Sequence, residues 1–92
     1  MTQPTYGNTE KQHIESVPGR CGGKPCIVGH RIRVQDIVLW TEQGMSPDDI
    51  ANAYQQLTLA DVHAALAYYF DNIEAINRDI QQDEELVTRA RA

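Results

Sequence analysis

The sequence predicts a mainly α-helical fold, in which a homeodomain-like three-helix core (a helix-turn-helix) follows a short N-terminal β-hairpin and precedes an extended C-terminal helix. The main observation is that two helix starts follow one another closely. Ser46 and Thr58 are both favourable N-cap residues, and each is followed three residues later by an acid, Asp49 or Asp61. Only a short break at 55–57 separates the two helices. With an apolar helix directly before them, they form the outline of a helix-turn-helix.

The chain length allows one small domain with a single core, because 92 residues leave no room for a second one. Residues 1–12 are polar and show no periodicity, so we expect a flexible N-terminal arm. Residues 13–82 are predicted to form the hairpin and helix-turn-helix domain. Residues 83–92 are predicted to form a charged C-terminal tail.

The N-terminal part of the domain contains short β-favouring segments separated by turn residues. Residues 13–16 can form a short strand. Residues 25–28 and 31–34 are predicted to pair as a β-hairpin that turns at Gly29, with its two arginines on one face. Because an isolated hairpin is marginally stable, we expect it to pack on the helices or to pair with another chain.

Three helices follow the hairpin. The first is predicted at 34–43 with Gly44 as its natural stop, and the second at 47–54. The third begins after Thr58 and has no obvious end before Gln81, which gives a length of about 35 Å. Its apolar residues recur at alternating spacings of three and four, a heptad-like seam formed by Leu59, Val62, Leu66, Tyr69, Ile73, Ile76 and Ile80.

The second half of this long helix is predicted to be an interaction surface. The two preceding helices are too short to cover it, so an apolar ridge would stay bare and would bind a second copy or a different protein. The candidate interface residues are Phe70, Ile73, Ile76 and Ile80. The alternative is that the helix breaks near Asp71 and Asn72 and folds back on the core.

Charge is distributed unevenly along a chain whose net charge is -5. The segment up to Arg33 carries five basic residues against two acids, whereas residues 34–77 carry seven acids and no lysine or arginine. The positive charge therefore lies ahead of the helices. DNA binding requires positive charge to meet phosphate, so we expect any DNA contact to involve the hairpin more than the third helix.

The candidate DNA-binding residues are Arg20, Lys24, Arg31, Arg33, Thr58 and His63. Thr58 and His63 belong to the early turns of the third helix, whose exposed positions are expected to be Thr58, Ala60, Asp61, His63, Ala64 and Ala67. An acid among them would repel phosphate, which makes this a poor recognition helix. The alternative is that Arg31 and Arg33 pair with acids of the helices, such as Asp36 or Asp48.

The two cysteines favour a structural role over a chemical one. His13, Cys21, Cys26 and His30 are potential zinc ligands, but the spacing of the cysteines is loose for a structural zinc site. We expect two reduced thiols that pack the hairpin against the helices, and no metal or cofactor. A cysteine with His30 lacks an orienting group and an oxyanion hole, so we expect no enzyme activity.

No apolar run is long enough to span a membrane, and the N-terminus has no signal-peptide pattern. We therefore expect a cytoplasmic protein without a membrane contact.

Residues 13–69 resemble the bacterial family named domain of unknown function 433. The matching residues form an ordered series, from 22–27 (GGKPCI) and 29–34 (GHRIRV) through Ile37, 44–46 (GMS), Ile50, Tyr54, 57–58 (LT), Val62 and 65–66 (AL) to Tyr68. This sequence departs from the family pattern at two positions. His30 replaces a threonine in the hairpin, and Gln55 replaces a proline after the second helix.

The resemblance implies a three-helix core with an N-terminal hairpin, a homodimer, and a Vap-like antitoxin that pairs with a PIN-like ribonuclease toxin. We therefore expect a type II toxin–antitoxin antitoxin that also binds its own operator DNA. The acidic C-terminal part suits a basic RNA-cleaving partner. The alternative is a protein–protein adaptor or oligomerisation module that uses the same fold without DNA binding, which the absence of basic residues in the helices favours.

Overall fold

The computed structural model describes residues 13–91, with side chains to residue 90, so the predicted arm at residues 1–12 lies outside the described residues. The described chain is mainly helical and begins with a short antiparallel β-hairpin. Its elements are β1 (Ile14–Glu15), a 3-10 turn (Cys21–Gly23), β2 (Cys26–Ile27), α1 (Val34–Glu42), α2 (Pro47–Ala53), α3 (Leu59–Asp71) and α4 (Ile73–Arg91). The bounds of α1 and α2 agree with the prediction to within one residue.

The hairpin pairs different segments from those predicted. β2 pairs with β1, so that Ile14 lies opposite Ile27. The predicted return strand at 31–34 is reduced to one bridge between Cys26 and Arg33 and a backbone hydrogen bond of 2.8 Å from Ile27 N to Ile32 O. The physical reason is that α1 begins directly after Arg33, which ends the extended segment before a ladder can form.

Capping boxes start α2 and α3, as predicted. The Ser46 hydroxyl accepts from the backbone N–H of Asp49, whose carboxylate accepts from the N–H of Ser46. Thr58 and Asp61 form the same reciprocal pair. Each box satisfies two backbone N–H groups that the first turn of a helix leaves unpaired.

The core lies where α3 crosses α1 and α2 and meets the β1–β2 pair. Its largest fully buried side chains are Ile27, Ile37, Ile50, Ile76, Val34, Val38, Val62 and Cys26. Trp40 covers one side of the core and stacks on Tyr54, with ring centroids 4.4 Å apart.

The long third helix of the prediction is wrong, and its alternative is correct. The helix breaks at Asn72, whose φ of -139° and ψ of 40° are not helical. The side-chain amide of Asn72 donates to the carbonyl of Tyr68, which satisfies a carbonyl at the end of α3. α4 then packs against α1 and brings Ile76 into the core.

α4 continues without interruption through the position at which the sequence predicted a separate tail. The helix extends to Arg91, so the predicted boundary between residues 82 and 83 does not coincide with the end of an element. Within the described residues no helix is long and apolar enough to cross a membrane.

Candidate functional site

Four of the candidate DNA-binding residues, here called the hairpin cations, lie in or next to the hairpin: Arg20, Lys24, Arg31 and Arg33. Three of them form ion pairs within the chain. Arg20 Nη1 lies 2.6 Å from Glu15 Oε2. Lys24 Nζ lies 3.3 Å from Asp83 Oδ1, and Arg33 Nη1 lies 2.8 Å from Asp83 Oδ2. Internal pairing, which the sequence suggested for Arg31 and Arg33, therefore describes Arg33 but not Arg31 among the described residues. The pairs of Arg20 and Lys24 were not anticipated.

Arg33 is the centre of this network. Its guanidinium donates to both carboxylate oxygens of Asp36, at 3.3 and 3.0 Å, as well as to Asp83. The hydrogen bond to Asp36 is the main reason that the pKa of Arg33 is raised further, against the opposing effect of burial. The pairing with Asp36 was anticipated, whereas the contact with Asp83 was not.

Asp83 is the residue of this site that sequence reasoning missed. Its carboxylate accepts hydrogen bonds from Lys24, Arg33 and Gln35. Burial alone would raise its pKa, but the bonds from Arg33 and Lys24 lower the pKa of Asp83 overall. One signal was present, because Asp83 continues the heptad-like spacing of Ile76 and Ile80, and an acid in an apolar seam requires a cationic partner.

Arg31 differs from the other hairpin cations. Its side chain is exposed, and among the described residues it forms no ion pair. It is therefore the hairpin cation that a phosphate could contact without displacing a carboxylate of the same chain.

The first turns of α3 expose fewer side chains than predicted. Thr58, Ala60, His63 and Ala67 are exposed, but Asp61 and Ala64 are buried. The reason is that this face of α3 packs against β1, and His13, directly before β1, contacts Asp61. The Thr58 hydroxyl accepts the N–H of Asp61 in the helix cap, whereas the His63 side chain forms no hydrogen bond among the described residues.

The two cysteines differ in burial. Cys26 is fully buried and Cys21 is half-buried, and both are free thiols. Burial, followed by the neighbouring Cys21, raises the pKa of the Cys26 thiol to about 11. Cys26 is therefore protonated at neutral pH and a poor nucleophile. In the part of the chain that the structure describes, no three His, Cys, Asp or Glu side chains are placed to hold a metal ion.

The four residues predicted to form a bare ridge are separated by the break at Asn72. Ile76 is 1% exposed and belongs to the core, and Ile80 is half-buried against it. Phe70 and Ile73 remain exposed, at 66% and 42%. The assignment of Ile76 to an exposed interface is therefore wrong, because the folded-back α4 turns this residue towards α1.

A different apolar surface lies further along α4. An open groove of about 430 Å³, here called the α4 groove, is lined by Leu39, Ile80, Asp83, Glu84, Val87 and Thr88. Beside it Leu86 and Val87 are 61% and 50% exposed. Every side chain from residue 84 to residue 90 is exposed, so these last described turns of α4 make no contact that buries them.

Comparison with known proteins identifies the family. The profile of the family described as "Protein of unknown function (DUF433)" matches residues 14–69, more than half of the chain. The chain belongs to the DUF433 family. The match runs from β1 almost to the end of α3, so α4 with Asp83 and the α4 groove lies beyond it.

A solved structure supports the same assignment. A DUF433 member protein from Anabaena variabilis ATCC 29413, determined by crystallography at 2.00 Å resolution, is similar to this chain with a TM-score of 0.72 and 37% sequence identity. The similarity covers 77% of this chain and 70% of that chain. A search of curated proteins found no match.

Proposed function

We propose that this DUF433 protein is the antitoxin of a type II toxin–antitoxin pair. It is a cytoplasmic, homeodomain-like helix-turn-helix protein that neutralises a PIN-like ribonuclease and binds its own operator DNA. The observation that carries the proposal is the end of α4, where apolar Leu86 and Val87 lie exposed beside Glu84 and Glu85. A surface that is apolar and acidic fits a protein whose own site is basic because it binds RNA.

The α4 groove is the proposed toxin-binding surface. The exposed end of α4, residues 84–90, is short, and a short helix has marginal stability in water when nothing packs on it. Binding of a partner to its apolar side chains would stabilise it. Two acids, Asp83 and Glu84, line the groove itself and give it a negative charge. Such a surface can occupy the channel that a ribonuclease presents to RNA.

The test is co-expression with the open reading frame next to the gene, followed by tagged co-purification and light scattering. We expect a stoichiometric complex with a small basic nuclease-like protein. Val87→Asp should weaken this complex at least ~10-fold, because it places a charge in the contact. Gln82→Asp is the matched control, since it adds the same charge at an exposed position outside the groove. Equal affinities of the two variants would remove the groove from the proposal.

The proposed DNA binding rests on Arg31 and on the other three hairpin cations. We expect the chain to bind duplex from upstream of its gene at low salt, with an affinity that falls as salt rises. Arg31→Ala should weaken this binding without changing helicity. If the chain binds no duplex at every salt concentration tested, only the toxin-binding part of the proposed function remains.

The homodimer is assigned to the exposed apolar pair at the turn between α3 and α4. Phe70 and Ile73 lie next to the break at Asn72, away from the α4 groove that we assign to the toxin. Light scattering of Phe70→Asp should give a monomer while the wild-type chain gives a dimer. A monomeric wild type would remove this assignment.

An adaptor or oligomerisation module without DNA binding is the second candidate function. It is favoured by the ion pairs that already occupy Arg20, Lys24 and Arg33. The upstream-duplex titration separates the two candidates, because the adaptor alone predicts no salt-dependent binding.

A further inference from the structure

One carboxylate connects α4 to the segment that carries the hairpin cations. Asp83 Oδ1 accepts from Lys24 Nζ at 3.3 Å, and Asp83 Oδ2 accepts from Arg33 Nη1 at 2.8 Å and from Gln35 Nε2 at 2.9 Å. These donors lie 48 to 59 residues before Asp83 in sequence. Asp83 therefore makes a tertiary contact with a cluster of donors, and no other carboxylate contacts Lys24 among the described residues.

This contact uses cations that nucleic acid would also need. A phosphate oxygen and a carboxylate oxygen compete for the same N–H donors, so Asp83 opposes phosphate binding by occupying one donor each of Lys24 and Arg33 and by neutralising part of their charge. The side chains of Lys24, Arg33 and Asp83 are 25%, 29% and 34% exposed. Because the cluster is partly exposed, water and ions can reach it. Lys24 and Arg33 can therefore exchange the carboxylate of Asp83 for another anion without unfolding of the core.

Asp83 also belongs to the α4 groove. Asp83 lines the α4 groove, and the fully exposed stretch of the helix begins at the next residue. The groove and the cation cluster therefore share one side chain, which lies where the helix leaves the core.

We propose that Asp83 is an autoinhibitory contact, which occupies Lys24 and Arg33 and keeps them from binding nucleic-acid phosphate while α4 is docked. The inference rests on the proposed DNA binding of the hairpin and adds its regulation. Removing the charge of Asp83 releases Lys24 and one N–H group of Arg33, whose guanidinium stays paired with Asp36. The chain then binds DNA more tightly and with a steeper salt dependence.

The experiment compares the full-length chain with Asp83→Asn and with Asp79→Asn. Asp79 lies one turn earlier on α4 and forms no ion pair among the described residues, so its variant makes the same change in net charge without touching the cluster. Anisotropy of a labelled upstream duplex is titrated with each protein across a salt series. Circular dichroism checks that helicity is unchanged.

We expect Asp83→Asn to bind the duplex about 10-fold more tightly than wild type at low salt, with a salt slope steeper by about one to two counterions. Asp79→Asn should change the affinity about 2-fold or less, because it releases no N–H donor of Lys24 or Arg33. Adding Lys24→Ala to Asp83→Asn should remove a large part of the gain. A gain that persists in this double variant would come from loosening of α4 and would overturn the proposal.

Two other results also decide the matter. If wild type, Asp83→Asn and Asp79→Asn bind duplex equally, the DNA-binding function stands and the autoinhibitory contact is overturned. If none of the three binds duplex at low salt, both the DNA half of the proposed function and this inference fail.

Discussion

His13 Nδ1 donates a hydrogen bond of 2.5 Å to Oδ1 of Asp61, 48 residues further along the chain. The other oxygen of this carboxylate accepts the backbone N–H of Thr58 and so completes the cap of α3. One buried acid therefore starts α3 and also ties this helix to the first described residues of the chain. The contact explains why the N-terminal segment is placed against α3, which nothing in the local sequence indicates.

Replacing His13 should destabilise the fold by about 1–2 kcal/mol. His13→Ala removes a part-buried hydrogen bond to a charged acceptor and leaves Asp61 Oδ1 without its donor. The free energy of unfolding is measured by urea denaturation. His63→Ala is the matched control, since the His63 side chain is exposed on α3 and forms no hydrogen bond among the described residues. An equal effect of both substitutions would contradict the structural role of His13.

The stability of the fold should decrease in acid, partly through Asp61. Burial alone would raise the pKa of Asp61, but hydrogen bonds from Thr58 and His13 lower it below its ordinary value of 3.8. The folded state then binds this proton more weakly than the unfolded state does. The stabilisation is therefore complete above the unfolded pKa and is lost as the pH falls through the lower folded pKa.

Asp61→Asn should accordingly reduce the dependence of the unfolding free energy on pH below about pH 5. Some dependence should remain, because the pKa of Asp83 is also lowered in the folded chain. His13→Ala should give an intermediate slope, since the bond from Thr58 survives. Urea denaturation across an acid pH series measures all three proteins. Identical slopes for wild type and Asp61→Asn would exclude this contribution.

Two isoleucines of α4 should respond very differently to truncation. Ile76→Ala should cost about 2–4 kcal/mol, because Ile76 is 1% exposed and its loss leaves a cavity under α4. Ile73→Ala, at a position that is 42% exposed, should cost less than about 1 kcal/mol. Chemical denaturation measures both. Small and equal losses would instead support one continuous helix in which both residues are exposed.

Substitution of Arg33 should lower the stability of the fold, whereas substitution of Arg31 should not. Arg33→Ala should reduce stability by about 1–2 kcal/mol, because it leaves the part-buried carboxylates of Asp36 and Asp83 without their main donor. Arg31→Ala should have an effect within about 0.5 kcal/mol, as it loses no ion pair of the described chain. Thermal unfolding of the two variants provides the comparison. A larger loss for Arg31→Ala would reverse the assignment.

Local features of this fold could be predicted from the sequence because their partners lie within one helical turn. The boxes at Ser46 and Thr58 pair each cap with an acid three residues later, so the starts of α2 and α3 are written in short motifs. The end of α1 before Gly44 follows from the positive φ that this glycine adopts. The division between a basic N-terminal third and acidic helices was equally evident.

The tertiary structure alone decided where α4 goes and what the charges do. The apolar seam through Ile73, Ile76 and Ile80 is compatible with a straight helix that binds a partner and with a helix that folds back on the core of its own chain. The break at Asn72 follows from the gain in burying Ile76 on α1. Likewise Asp83 and Arg33 lie 50 residues apart, and no local spacing could pair them. Pairing at this distance depends on the packed position of α4, and for that reason the state of the candidate DNA-binding cations was decided by the fold.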